Sequence, residues 1–114
     1  MSRIILLGSL LLIWIAIPAR MASGADYKET HAKTCARCHG ENGKGDGATL
    51  TKMKGKALDW TDKAVMSKVT DEYLIDITVK GGAAVGKSKL MPAYKNMDEK
   101  ALKEMVDFIR AQVK

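Results

Sequence analysis

The chain has 114 residues, two cysteines, 19 basic and 13 acidic side chains and a formal charge of +6. That length allows one small domain once any targeting segment is removed. The lysines are scattered (Lys44, Lys52, Lys54, Lys56, Lys63, Lys68, Lys87, Lys89, Lys95) rather than run together, and with no recognition motif beside them they exclude a nucleic-acid reader.

Residues 4–17 are apolar apart from Gly8 and Ser9, follow Arg3, and give way to Pro18, Arg20 and the small residues at 22–25. This is the charged start, short apolar run and small-residue exit of a secretory signal peptide. At about 14 residues the run falls short of the roughly 20 that a membrane-spanning helix needs. Residues 1–25 are therefore expected to be a cleavable signal peptide, cut near Gly24 or Ala25, and residues 26–114 a periplasmic domain free of the membrane. Such a domain, of about 89 residues, buries only a marginal core by itself, so a cofactor would supply much of the apolar interior.

Asp26, followed three residues on by Glu29, supplies a helix start, and the helix is expected to reach the cysteines and stop by Gly40. Residues 40–47 carry four glycines, which disfavours regular structure. A phosphate loop would need a preceding strand and a Gly-Lys-Ser/Thr ending; the glycines are expected instead to let the chain pass close to a large ligand. Residues 49–68 are lysine-rich and weakly patterned, and are expected to be loop with one short helix at 63–68. Thr70 then caps a helix through Lys80, with Asp71 and Glu72 in its first turn and Gly81-Gly82 beyond its end. Residues 81–96 form a loop of about 16 residues, a length that in a small domain usually has a functional reason. The last helix begins at Asp98, stapled by Met97 and Leu102. It runs to about Val113, with Leu102, Met105, Val106, Ile109 and Val113 on one face. Nothing alternates as a strand does, so the expected fold class is all-α, with three to five short helices.

Cys35-Ala36-Arg37-Cys38-His39 matches the signature of covalent haem attachment. On a helical turn, thiols three residues apart reach one porphyrin edge, and the following histidine comes under the iron. A thioredoxin-like pair would need a βαβ context, a disulfide here would close a tiny loop, and a zinc site would lack ligands because Cys38 and His39 point apart. His31 lies one turn before Cys35, on the same side as His39, so a sixth iron ligand has to come from farther along the chain. Met97 and Met105 belong to the last helix, and Met53 and Met66 to the poorly patterned middle. Met91 lies in the long loop, held toward extended backbone by Pro92, and is the expected second axial ligand.

Cys35-Ala-Arg-Cys-His-Gly40, Gly43-Lys-Gly-Asp-Gly47 and Lys89-Leu-Met-Pro-Ala-Tyr94 before a terminal helix together resemble the small class I, monohaem c-type cytochromes. The resemblance covers essentially the whole expected mature chain. It implies a cytochrome c fold in which the first and last helices cross and the Met91 loop closes over the far haem face. It also implies that Trp60 either donates its indole N–H to a haem propionate or packs in the core, and that Leu90 and Tyr94 line the haem pocket. One departure stands out: members commonly carry an aromatic residue four positions before the first cysteine, where this chain has His31. Tyr27 and Phe108 are expected to compensate, leaving His31 a packing or surface residue.

Methionine opposite histidine favours ferrous iron and a closed site. The expected function is that of a monomeric electron carrier, with one haem c cycling between Fe(III) and Fe(II) and redox partners docking at a haem edge bordered by Lys44, Lys87, Lys89 and Lys95. A haem subunit of a dehydrogenase or oxidase complex is the alternative context, and a small-ligand binding module the alternative class. An enzyme such as a peroxidase would need distal acid–base groups, and the sequence supplies no distal histidine.

Overall fold

Helix follows helix through residues 27–114, the part of the chain that the computed structural model describes, and no strand occurs among them. The signal peptide expected over residues 1–25 and the cap expected at Asp26 lie outside the described residues. The first helical run has three sections: α1 (Tyr27–Thr30), a π-helical turn (His31–Cys35) and α2 (Ala36–His39). Backbone angles stay helical across the joins at Thr30 and Cys35, and in the π turn the Ala36 N–H donates to the His31 carbonyl five residues back. With that run counted once, five α-helices are described, α3 (Ala48–Lys52), α4 (Lys63–Met66), α5 (Asp71–Lys80) and α6 (Glu99–Ala111) completing the set, with a 3-10 turn at Ala83–Val85. This is the all-α architecture expected.

The caps read from the sequence are in place. Thr70 Oγ1 accepts from the Tyr73 N–H at 3.1 Å, and an Asp98 carboxylate oxygen accepts from the Ala101 N–H at 2.8 Å. Each satisfies an amide that the first helical turn leaves without a partner. Asp62 does the same for α4, accepting from Ala64 and Val65.

The core is one cluster built by both ends of the domain: Tyr27, Trp60, Met66 and Leu74 pack with Met105, Val106 and Ile109 of α6, and Met97 and Leu102 pack against it. Arg110 pins α6 to the connection between α4 and α5. Its guanidinium donates to Asp71 Oδ1 (2.7 and 2.9 Å) and to the carbonyls of Met66 (3.0 Å) and Val69 (2.6 Å).

α3 was not anticipated. Two β-branched threonines lower its intrinsic propensity, and its stability is tertiary: Leu50 is buried, and the end is closed by bonds from Gly55 N–H to Leu50 O (3.0 Å) and Lys54 N–H to Thr51 O (3.1 Å). That closure needs a left-handed residue, usually glycine, and here it is Lys54 at φ +51. Lys54→Gly should therefore raise stability by about 0.5–1 kcal/mol, the left-handed penalty less glycine's extra chain entropy. Thermal unfolding would show this as a Tm higher by a few degrees; a lower Tm would refute it.

Candidate functional site

A cavity of about 700 Å³ lies between the first helical run, α5, α6 and the connection that carries Met91. Cys35, Cys38, His39, Trp60, Leu90, Met91 and Tyr94, the seven residues singled out in the sequence, all line it. Its remaining apolar wall includes Leu74 and Ile77 of α5 and Met105 and Ile109 of α6. Met105 and Ile109 are read from the sequence only as the buried face of the last helix; for α5, the spacing of 74, 77 and 78 is the signal of one buried face.

The glycine segment delivers the cysteine motif. The last carbonyls of α2 have no partners within the helix, so Gly47 and Gly45 donate their N–H groups to Cys38 O (3.0 Å) and His39 O (2.8 Å). Gly47 has ordinary angles, φ −59 and ψ 139, and its need for glycine is purely spatial: a Cβ there would lie 2.6 Å from the Cys38 carbonyl carbon. Both cysteines are free thiols. Burial pushes the Cys35 thiol up, against the opposing effect of the Tyr27 hydroxyl, which donates to its Sγ at 3.7 Å, with Cys38 adding a smaller upward push. Among the described residues no group of three or more His, Cys, Asp or Glu side chains could hold a metal ion.

His39 is a neutral imidazole. Burial first, and then the positive potential of His31, push its pKa down to about 4; the neutral ring is the form that ligates metal. Its Nδ1 is buried without a hydrogen-bond partner among the described residues. The ring stacks on Trp60, with centroids 4.6 Å apart and planes at 22°.

His31 is a packing residue, as expected, and more buried than a surface role would allow, with 3% exposure. Its Nε2–H donates to Gly40 O at 3.0 Å, and its ring meets Phe108 at 4.5 Å, Trp60 at 5.6 Å and Tyr27 at 6.0 Å. Tyr27 and Phe108 do surround it. Trp60 packs against both histidine rings.

Met91 enters from a loop tied down at several points. Gly82 N–H donates to Met91 O (3.0 Å), Met91 N–H to Ser88 O (3.3 Å), and Tyr94 N–H to Thr78 O of α5 (2.8 Å). Tyr94 is half-buried, and burial followed by the nearby Cys35 and Cys38 pushes its hydroxyl up. Leu90 sits at the cavity edge, 37% exposed. Of the four lysines expected at the haem edge only Lys87 lines the cavity; Lys44, Lys89 and Lys95 are exposed away from its wall, and Lys56 and Lys68 line it instead.

Two free thiols three residues apart, a neutral imidazole and a thioether around a largely apolar cavity of this size fit a covalently tethered haem. Fold and site together define a c-type cytochrome. The model of the family described as cytochrome C oxidase, cbb3-type, subunit III matches residues 22–109, and the chain belongs to that family. No curated protein and no solved structure matches it. The domain accordingly binds haem c covalently and transfers electrons between redox partners. No helix among the described residues is long and apolar enough to cross a membrane.

Proposed function

We propose that the protein is a periplasmic one-electron carrier, exported by the leader at residues 1–25 and working as a monomer rather than as an enzyme. Cys35 and Cys38 would tether the haem, and His39 and Met91 would hold its iron. The observation that carries this reading is that His39 and Met91, from separate elements, reach one apolar cavity that also holds both cysteines. The haem supplies a reversible Fe(III)/Fe(II) couple. The chain's contribution is to keep both ligands in place and water out, so that little reorganises when an electron moves.

Protein matured in a periplasm should carry the mass of one haem that survives denaturation, and Cys38→Ala should weaken or abolish that linkage. Haem released by denaturation alone would overturn the reading.

Partners of this carrier are acidic at their docking face. Lys87 and Lys56 line the cavity and are exposed, so Lys56→Glu with Lys87→Glu should slow electron transfer to an acidic partner roughly tenfold at low ionic strength, converging with the parent as salt rises. Equal rates at low salt would remove these lysines from the interface.

The family's description favours a second context, a haem subunit of an oxidase-type complex. Size exclusion of native extract separates the two: a shuttle elutes near its monomer mass, a subunit with a large assembly.

A further inference from the structure

A histidine that binds a metal almost always donates its other ring N–H to a carboxylate, a backbone carbonyl or water, and that bond fixes the plane of the imidazole. His39 has no such protein acceptor: Nδ1 is buried and unpartnered among the described residues. Its ring is nevertheless held. The Trp60 indole lies nearly parallel to it at 4.6 Å and is itself 4% exposed. From this we infer that Trp60 is the positioning residue for the proximal ligand, setting the rotation of the His39 imidazole about its bond to iron by aromatic stacking in place of a hydrogen bond.

Three features of the chain hold the indole in that position. The Trp60 N–H donates to Gly43 O at 2.8 Å, fixing the backbone beneath the side chain. Gly43 has φ +74, and its missing side chain makes room for the indole, since a Cβ there would lie 2.8 Å from Trp60 Cδ2 and 3.1 Å from Trp60 Cβ. His31 meets the indole at 5.6 Å and is anchored by its own bond to Gly40 O, the residue next to His39. A glycine loop, a tryptophan and a buried histidine thus form one support, and the loop's glycines serve the ligand as well as the chain path.

Stacking has a consequence that packing alone lacks. In low-spin ferric haem, the pattern of the four haem-methyl paramagnetic NMR shifts depends on how the axial ligand planes are turned against the porphyrin. A residue that only fills space alters stability; one that sets the plane alters this pattern.

The inference rests on His39 being the proximal ligand, and its test is arranged to separate the two. Ferric holoprotein is prepared as the parent chain and as Trp60→Phe, Trp60→Leu and Gly43→Ala, and one-dimensional proton spectra of the haem methyls are recorded beside absorption spectra. Trp60→Phe keeps an aromatic face and should keep the parent order of methyl shifts. Trp60→Leu and Gly43→Ala, which remove or displace that face, should reorder or compress them while the absorption spectrum still shows a six-coordinate low-spin iron. If Trp60→Leu does not accumulate as holoprotein, Gly43→Ala against Trp60→Phe decides. An unchanged shift order in a folded Trp60→Leu or Gly43→Ala protein overturns the positioning role and leaves the haem reading intact. A parent chain without a low-spin, covalently held haem overturns both.

Discussion

Met91→Ala should leave a folded haem protein whose ferrous form binds carbon monoxide, where the parent remains inert. Met91 is only half-buried and is held mainly through its backbone, by Gly82 and Ser88, so truncating its side chain spares the loop's anchors and removes the thioether. A neutral thioether favours ferrous iron; with water or nothing in its place the reduction potential should fall by a few tenths of a volt, within the ~0.8 V range that axial ligands command. A potentiometric titration and a carbon monoxide difference spectrum measure both effects. An unchanged absorption spectrum in a carbon monoxide-inert mutant would remove Met91 from the iron and turn attention to Met97 and Met105, which also line the cavity.

Gly47→Ala should be strongly destabilising. The added carbon would collide with the Arg37 carbonyl and lie 2.6 Å from the Cys38 carbonyl carbon. Both are backbone atoms inside the attachment motif, so no rotamer change relieves the clash. α2 would have to move away from α3 and lose the bond from Gly47 N–H to Cys38 O. Overpacking of this kind costs about 3 kcal/mol, a fall in Tm on the order of 15 °C for a domain this size. Gly86→Ala is the control: it has a left-handed φ of +72 but nothing within 4 Å of the new carbon, so it should cost only about 1 kcal/mol. Comparable losses for the two variants, measured by thermal unfolding, would contradict the contact argument.

Some of this structure was legible because its causes are local. Thr70 and Asp98 cap the helices they begin, and the i, i+3, i+4 spacing in α6 places Met105, Val106 and Ile109 in the core. The cysteine motif announces its chemistry by spacing alone. What escaped the sequence depends on contacts made at a distance. α3 exists because Leu50 finds a buried site and Lys54 accepts a left-handed turn, neither of which a threonine-rich segment advertises. The pairing of Trp60 with His39 requires Gly43 to bring two distant segments together, so Trp60 could be nominated for the pocket but not given its neighbour. Lys56 and Lys68 reach the cavity, and Lys44, Lys89 and Lys95 do not, because the turns between helices decide which long side chains point inward. No spacing rule reports that.

The π-helical turn at His31–Cys35 amounts to an α-helix carrying one surplus residue. Each helical residue advances the side-chain direction by about 100°, so the surplus sets the angle between Tyr27, packed on Phe108, and the two cysteines facing the cavity. Deleting one residue there would let the helix relax into ordinary α geometry while swinging the thiols out of line with Tyr27. The cysteines and the buried pair Tyr27 and His31 could no longer all keep their places, which makes the length of this one segment a constraint that ties the cavity-facing thiols to the core.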